Sequence, residues 1–406
     1  MISFEEARRR ILKRSAALPK IRVALSDAAG YVLAESVTAR ENIPPFDASA
    51  VDGYGVNWED IASAAESSPV TLQLLDVVKA GEVSKKVLHQ GSCIKLMTGA
   101  MIPAGVDTVV MQEFVEEVGR AVRFRTRACR GDNVRRRGEE FAKGTLVLRE
   151  GTFITPPVVG LLATVGRPLV RVYRKPRVAL ILTGTELVPA DKSLKVGKIR
   201  DSNSPALVAA LRAIDVEPQI VVRVADTRSA ITRALSSSLR TADAIMMVGG
   251  VSVGDFDYVK EIAGALDVER IFWKVAIKPG KPFFFGAKSR KLVFGLPGNP
   301  VSALVTFYLF VVPALRKMMG SKLKNDLLLR ARLEHFLSKN SERMEFVRGL
   351  VRRTASGALV VSATQGQDSH MLGGLATANC IIYLRPGKGV LPKNKLVDVQ
   401  ILSWNT

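Results

Sequence analysis

The sequence predicts a multidomain protein of the α/β plus β class, in which a doubly wound parallel sheet is combined with mostly β regions. From Pro176 onward, short apolar runs alternate with helical segments of about ten residues, which indicates βαβ units. Residues 46–144, and those after Gly320, instead contain short β-like runs separated by glycine and proline turns. The length of 406 residues allows two to four domains of roughly 100–200 residues each.

The α/β region is expected to carry a site at one edge of its sheet. Its predicted elements are RVALILT (strand), SPALVAALRAI (helix), PQIVVRV (strand), SAITRALSSSL (helix), DAIMMV (strand), DYVKEIAGAL (helix), RIFWKVAI and KLVFGLP (strands) and a helix over 301–319. Ligands of such sheets bind beyond the carboxyl ends of the strands. The loops expected there are TGTEL (183–187), ADTR (225–228), GGVSVGDFD (249–257), KPGK (278–281) and LPGNP (296–300).

The other regions are predicted from caps and turns. Residues 1–45 begin with a helix, because Ser3 and Glu6 match a capping box. Residues 145–175 contain a short apolar helix that is entered through two prolines. Between them, residues 46–144 form a mostly β insertion. The strands after Gly320 predict a small all-β domain, either a barrel or a sandwich.

The composition favours anionic partners. There are 59 Lys and Arg residues against 38 Asp and Glu residues, a net charge of +21. Residues 120–149 alone hold ten basic and three acidic side chains. A nucleic-acid surface would interleave aromatic residues with such a patch, but aromatics make up 6% of the chain. A solvated basic face is therefore favoured over nucleic-acid binding.

The cysteines and histidines exclude two classes of site. They are isolated in the sequence, without the spacing of a disulfide framework or a thiolate zinc site. They are Cys93, Cys129, Cys380, His89, His335 and His370. Any bound metal is therefore expected to be a hard cation held by oxygen, such as Mg²⁺.

No segment is expected to enter a membrane. The longest apolar stretch, residues 301–315, is too short for a span and is interrupted by Pro313. The N-terminus has charges at helical spacing and lacks the apolar core of a signal peptide. The sequence therefore predicts a cytoplasmic protein.

The stretch GGVSVGDFDYVK (249–260) combines two opposing features. Glycines between a strand and a helix expose backbone N–H groups that favour an anion. Asp255 and Asp257 would repel an anion unless a metal lies between them. The loop therefore predicts either a phosphorylated ligand with a cation or, as the simpler alternative, a glycine turn whose aspartates cap the next helix.

Three further motifs fall in or next to the insertion. Asp47 and Asp52 lie in PPFDASAVDGYGV, and Thr98 begins the corner TGA, which suits an oxyanion. VRRRGEE places arginines that can bind phosphate or oxyanions directly before two carboxylates. Each has a structural alternative: a hairpin turn, a β-turn with a satisfied threonine, and a surface salt-bridge cluster. The arginines are Arg135, Arg136 and Arg137, and the carboxylates are Glu139 and Glu140.

Two motifs flank the last strands of the α/β region. Lys274, Lys278 and Lys281 surround a predicted strand end, where lysines can act as point charges for phosphate. Pro297 and Pro300 frame Gly298-Asn299 at the start of a helix, a rigid turn that directs N–H groups outward.

The order of these motifs resembles one known family. FDASAVDGYGV, LMTGAMIPAGVDTVVMQE, NVRRRGEE, TGTEL, GGVSVGDFDY, FWKVAIKPGKP and GLPGNPVSA occur in a single order along the chain. This pattern resembles the molybdopterin molybdenumtransferase family, which includes the C-terminal enzymatic domain of gephyrin. The resemblance runs from about residue 4 to the end.

The resemblance implies the last step of molybdenum cofactor synthesis. Such enzymes take adenylylated molybdopterin and molybdate, hydrolyse the adenylate with Mg²⁺, and release the cofactor and AMP. It also implies a homodimer whose site lies between domains of different subunits. The family's four parts would be an elongated domain (1–45 and 145–175), a β insertion (46–144), a doubly wound pterin-binding domain (176–320) and a C-terminal β-barrel (321–406).

The family's site residues are carried over by motif. The implied catalytic residues are Asp52, Thr98, Glu140, Glu186, Asp226, Asp257, Lys274 and Lys278, with Glu186, Asp226 and Asp257 as the implied Mg²⁺ set. The implied substrate-binding residues are Gly249, Gly250, Ser252, Lys281, Pro297, Pro300, Arg135, Arg136 and Arg137. Two positions depart from the family: Thr185 replaces a common aspartate, and Glu140 replaces a shorter one.

Two functions besides this transferase remain open at this point. One is a molybdopterin-binding scaffold without turnover, and the other is a relative that uses tungstate. A separate adenylyltransferase would deliver the pterin, and molybdenum enzymes would accept the product.

Overall fold

The computed structural model describes residues 1–250, 258–322 and 328–402. Up to residue 175 the helices and strands are α1 (Phe4–Arg14), β1 (Lys20–Ala24), β2 (Val37–Thr38), β3 (Ala48–Ser49), β4 (Gly53–Val56), α2 (Trp58–Ile61), β5 (Val70–Val78), β6 (Ser92–Leu96), β7 (Thr108–Met111), β8 (Val115–Val118), β9 (Ala121–Phe124), β10 (Val134–Arg135), β11 (Leu146–Leu148), α3 (Pro156–Thr164) and β12 (Leu169–Tyr173). The segments before and after the insertion come together, because β1 pairs with β12 and β2 pairs with β11.

The insertion between β2 and β11 has its own sheet. Its strand order is β7-β4-β6-β5-β9-β8, and Tyr54, Cys93 and Phe124 lie in its core. At the N-terminus, the predicted cap of α1 is present, since the Glu6 amide donates to Ser3 Oγ at 3.1 Å.

The α/β region is doubly wound, as predicted. Its elements are β13 (Val178–Thr183), β14 (Leu187–Val188), β15 (Ile199–Arg200), α4 (Asn203–Arg212), β16 (Pro218–Val224), α5 (Arg228–Thr241), β17 (Ala244–Val248), α6 (Val259–Ala265), β18 (Glu269–Trp273), β19 (Ile277–Lys278), β20 (Phe284–Lys288), β21 (Lys291–Leu296), α7 (Pro300–Thr306) and α8 (Val312–Met318). The main sheet has the order β16-β13-β17-β21-β20-β18. The first four strands are parallel.

The structure adds an antiparallel edge to this sheet. β20 runs antiparallel to both β21 and β18, so β18 again points the same way as the parallel strands. The turn between β20 and β21 places Ser289 at a positive φ of 54°. The sequence there, KSRK, lacks the glycine or asparagine that usually marks such a turn, so the strand β20 was missed.

The helix predicted over 301–319 spans Pro300–Met318 and includes a π-helical segment, Phe307–Val311. Pro313 does not interrupt this helix. The π-helical turn, which ends two residues before Pro313, accommodates the absence of a backbone N–H at the proline. With 19 residues the helix is long and apolar enough to cross a membrane, but 78% of its most apolar window is buried in the protein. Its burial, rather than the shortness expected from the sequence, marks it as a core helix.

The last part of the chain contains a closed five-stranded barrel, which decides between the two predicted architectures. Its elements are β22 (Leu328–Leu333), β23 (Leu337–Ser341), β24 (Met344–Arg353), β25 (Leu359–Ala363), α9 (Leu372–Ala376), β26 (Cys380–Leu384), β27 (Gly387–Leu391) and β28 (Leu396–Ile401). The ring closes through the pairings β22–β25, β25–β24, β24–β26, β26–β28 and β28–β22.

The barrel and the α/β region share one hydrophobic core. Phe346 and Tyr383 of the barrel belong to the same buried cluster as Phe310 of the core helix and Phe4 of α1. The rings of Phe4 and Phe346 lie 5.0 Å apart, edge to face. In addition, the predicted strand RIFWKVAI is divided between two sheets. Its first part belongs to β18 of the α/β sheet, whereas its last residue, Ile277, belongs to β19, which pairs in parallel with β24 of the barrel.

The glycine after α8 packs closely against Tyr173 of β12. Gly320 has a φ of 78°, and a Cβ built there would lie 2.6 Å from Cγ of Tyr173. We expect Gly320→Ala to lower the free energy of unfolding by about 2–4 kcal/mol, from the strained backbone and from overpacking. Urea denaturation would measure it.

Gly166 provides the matched control, because it follows α3 with a φ of 68° and has nothing within 4 Å of its would-be Cβ. Gly166→Ala should lose only the backbone part, about 1–2 kcal/mol. Equal losses in the two variants would contradict the packing assigned to Gly320.

Candidate active site

A cleft of about 560 Å³ opens at the carboxyl ends of the parallel strands. Leu182 and Thr183 end β13, Val248 ends β17, and Asp226 follows β16. This is the edge at which the sequence placed a site. The predicted residues that line the cleft are Glu186, Asp226, Gly249, Gly250, Pro297 and Pro300.

Three side-chain oxygens around the cleft are buried without a hydrogen-bond partner. They are Thr183 Oγ1, Asn203 Oδ1 and Asp226 Oδ1, counted within the described residues. Asn203 is held by its other amide atom, since Nδ2 donates to the Gly298 carbonyl at 2.8 Å. Because buried polar groups are normally paired, these oxygens indicate that a ligand or cation completes the site.

Glycines bring the backbone close to these oxygens. A Cβ at Gly249 would lie 2.7 Å from the Thr183 carbonyl oxygen, and one at Gly250 would lie 3.4 Å from Thr183 Oγ1. A Cβ at Gly184 would lie 2.9 Å from both carboxylate oxygens of Glu186. A side chain at Gly249 would therefore displace Thr183, and one at Gly184 would move the Glu186 carboxylate. The following residues 251–257, which include the predicted Ser252, Asp255 and Asp257, lie outside the described residues.

The oxygen atoms around the cleft suit a hard cation. Mg²⁺ commonly takes one or two protein carboxylates and completes its shell with water and substrate phosphate. Glu186 and Asp226 supply two carboxylates here. Within the described ranges, no three or more His, Cys, Asp or Glu side chains are grouped so that they could hold a metal ion. These residues alone therefore do not form a metal site in which most ligands come from the protein.

The barrel also reaches the cleft, through a loop that the sequence did not mark. Asn299 Nδ2 donates to Ser369 Oγ at 2.8 Å, and the Val301 amide donates to the Ser369 carbonyl at 3.2 Å. The next residue, His370, lines the cleft. Its rarity, as one of three histidines, was the one signal in the sequence that could have drawn attention to it.

None of the three predicted lysines is among the described residues that line the cleft. Lys274 has a positive φ of 67°, and its Nζ lies 3.9 Å from the Trp273 ring centroid, a cation–π contact. Lys278 Nζ lies 3.8 Å from Glu345 Oε2 of the barrel. Lys281 is exposed and directly precedes Pro282, which does line the cleft.

In the insertion, the three predicted motifs PPFDASAVDGYGV, TGA and VRRRGEE lie next to one another and form a second polar cluster. Ala48 pairs with Arg135, and the Ser49 amide donates to the Ala100 carbonyl at 2.9 Å. Asp52 Oδ1 accepts from the backbone N–H of Thr98 at 2.6 Å and from its hydroxyl at 2.7 Å. These bonds, the backbone one first, lower the pKa of Asp52 below its usual value.

The arginines of the insertion are only partly paired. Arg136 Nη1 lies 3.1 Å from Asp47 Oδ2, and the Arg137 amide donates to Asp47 Oδ1 at 2.7 Å. The guanidinium groups of Arg135 and Arg137, and the carboxylate of Glu140, are exposed and have no partner in the part of the chain that the structure describes. The ion pair of Arg136 is therefore made with Asp47, and not with the adjacent Glu139 or Glu140 as the salt-bridge alternative expected. None of these residues, nor Asp52 or Thr98, lines the cleft.

Comparison with known proteins covers almost the whole chain. The model of the MoeA N-terminal region (domain I and II) matches residues 2–166. The model of the probable molybdopterin binding domain matches residues 179–317. The model of the MoeA C-terminal region (domain IV) matches residues 330–402.

Individual relatives are similar over their full length. The molybdopterin molybdenumtransferase of Staphylococcus aureus strain Mu50 is 33% identical over 398 residues, which cover 98% of this chain and 95% of that protein. The enzyme of the same name from Staphylococcus epidermidis strain RP62A is 33% identical over 405 residues, covering 100% and 96%. The crystal structure of the molybdopterin biosynthesis MoeA protein from Pyrococcus horikoshii OT3 is 30% identical, with a TM-score of 0.83 and coverage of 99% and 100%. The chain belongs to the molybdopterin molybdenumtransferase family.

Proposed function

We propose that this member of a molybdenum cofactor biosynthesis family inserts molybdenum from molybdate into adenylylated molybdopterin and releases the cofactor and AMP. The observation that carries the proposal is the cleft, where Thr183, Asn203 and Asp226 each leave a buried oxygen without a partner among the described residues. Such a site favours a ligand rich in donors, or a cation. A pterin ring supplies N–H donors, and a phosphoanhydride recruits a cation.

The cleft walls suit the two ends of this ligand. Gly249, Gly250 and Gly298 leave the backbone open to a flat ring, and Asn203 offers its free Oδ1 to a ring N–H. Glu186 and Asp226 lie in the same cleft and would hold Mg²⁺. When bound, Mg²⁺ would neutralise charge on the phosphoanhydride.

The same carboxylates could also orient the attacking water molecule and accept its proton. Asp226 has one buried oxygen without a partner in the described part of the chain, whereas Glu186 is exposed and lines the cleft. A carboxylate in this position orients a water and accepts its proton as the oxygen attacks phosphorus. Water then supplies the oxygen of the phosphate product, and AMP or the pterin phosphate departs with the anhydride oxygen.

The insertion cluster is proposed to act on the cleft of a second copy of the chain. Asp52, Thr98, Glu140, Arg135 and Arg137 do not line the cleft of their own chain. Exposed arginines that have no partner among the described residues suit an anionic substrate that approaches from another subunit. The homodimer, like the cytoplasmic location, a separate adenylyltransferase and acceptor molybdenum enzymes, is part of this proposal.

The direct test is AMP release from adenylylated molybdopterin, with Mg²⁺, with and without molybdate, and with tungstate in parallel. Molybdate-dependent release supports the transferase, and release with tungstate alone supports the tungstate-using alternative. Tight pterin binding without AMP under either oxyanion would instead support a scaffold, and would direct attention to Thr185 and Glu140.

Asp226 is expected to be essential in that assay. Asp226→Asn keeps the shape of the side chain but removes its charge, so AMP release should fall about 100-fold. Asp191→Asn is the matched control, since Asp191 is an exposed carboxylate outside the cleft lining, 3.7 Å from Lys192 Nζ. A normal rate in Asp226→Asn would remove this residue from the mechanism.

A site shared between subunits predicts complementation. Asp226→Asn and Asp52→Asn, each inactive alone, should recover about a quarter of wild-type AMP release when co-expressed, because half of the dimers are mixed and each has one intact site. Differently tagged chains allow the mixed dimers to be purified and assayed directly.

The control mixture combines Asp226→Asn with Glu186→Gln. Both changes fall in the same cleft, so no mixed dimer contains an intact site and no activity should return. Recovery in this control, or its absence in the first mixture, would contradict the composite site.

A further inference from the structure

The phosphate of the proposed ligand needs a cationic or N–H partner in the cleft. Among the described residues that line it, Arg200 and His370 are those whose side chains can carry positive charge. Arg200 donates from Nε to the Ala190 carbonyl at 3.2 Å. Neither ring nitrogen of the exposed His370 has a partner among the described residues.

His370 reaches the cleft because a buried cation holds the loop before it. Arg348 lies on β24 with 0% exposure, although a buried charge is costly. Its Nη2 donates to the carbonyls of Gly366 and, at 3.3 Å, Asp368. Its Nε and Nη1 have no partner within the described residues. The guanidinium is therefore directed at the main chain of residues 366–368.

Gln367 fixes the same loop to the barrel strand. Its Oε1 accepts from the Arg348 amide at 3.1 Å, and its Nε2 donates to the carbonyls of Arg348 and Thr364, both at 2.9 Å. The loop also packs tightly on α9. A Cβ at Gly374 would collide with the Gln365 carbonyl oxygen and lie 2.8 Å from that of Gly366.

The other end of the loop is fixed to the start of α7. Ser369 accepts hydrogen bonds from Asn299 and from the Val301 amide, and Asn299 itself lines the cleft. The loop is thus tied to the barrel at residues 364–368 and to the cleft at residue 369. His370 follows directly, so its position is set by both attachments.

We propose that His370 recognises the phosphate of the bound pterin and that Arg348 is the positioning residue that holds its loop in place; this inference rests on the proposed function. The barrel then supplies a specificity-determining residue to a cleft built mainly by the α/β region.

The test compares molybdopterin with its dephosphorylated form, binding to the full-length protein by calorimetry. His370→Ala should weaken binding of the phosphorylated ligand about tenfold, the loss of one hydrogen bond to a charged group. Binding of the dephosphorylated ligand should not change. His335→Ala, which removes an exposed histidine outside the cleft lining, should alter neither affinity.

Each other result is informative. Equal weakening for both ligands, or no weakening, would overturn the role of His370. Wild-type protein that binds both ligands equally would overturn this inference and leave the proposed function standing. Wild-type protein that binds neither ligand would overturn both.

The position of the loop that Arg348 holds is tested away from the cleft, through a glycine that packs against the same Gly366 carbonyl. Gly374→Ala should displace the loop and lower the phosphate-dependent ratio of affinities by a similar factor. Gly373→Ala, in the same helix but with nothing within 4 Å of its would-be Cβ, should leave the ratio unchanged. In a His370→Ala background, Gly374→Ala should add no further loss of that ratio. A Gly374→Ala protein that is less stable but keeps the wild-type ratio would show that the loop is merely structural.

Discussion

The parallel pairing of β19 with β24 is the constraint on which the composition of the cleft depends. Ile277 and Lys278 leave the α/β region and pair with Met344 and Glu345 of the barrel. The joint is reinforced by Arg343 Nη1, which donates to the Ile277 carbonyl at 3.0 Å. Because the barrel is fixed at this point, its loop at residues 364–370 meets the start of α7, and the cleft gains a wall that the sheet alone does not provide.

The sequence could place the loops of the α/β region because strand and helix periodicities are local properties. The loops that carry Glu186 and Asp226 were found in this way, since the carboxyl ends of parallel strands meet at one edge, whereas the two residues themselves were named from the family resemblance. Thr183 and Asn203 were missed because each looks like the ordinary end of an element. His370 was missed because its position depends on the docking of a distant barrel. The gathering of Asp52, Thr98 and Arg135 required long-range pairings that periodicity does not encode.

The charge of +21 is distributed in a way that composition does not convey. Among the described residues, the cleft is lined by two carboxylates and few cations, whereas exposed arginines without a described partner lie in the insertion. Asp52, whose pKa is lowered by its bonds from Thr98, stays ionised among them. The insertion surface is therefore a mixed polar surface with a fixed negative group, rather than the uniform basic face of a nucleic-acid binder.

The shared core of the barrel and the α/β region has a consequence for how the protein unfolds. Phe346 and Tyr383 pack with Phe4 and Phe310, so neither region completes its interior alone. A chain cut at Gly320 would leave the apolar helix Pro300–Met318 with part of its surface uncovered. The two regions are distinct in topology, but because they share one buried core we expect them to unfold together.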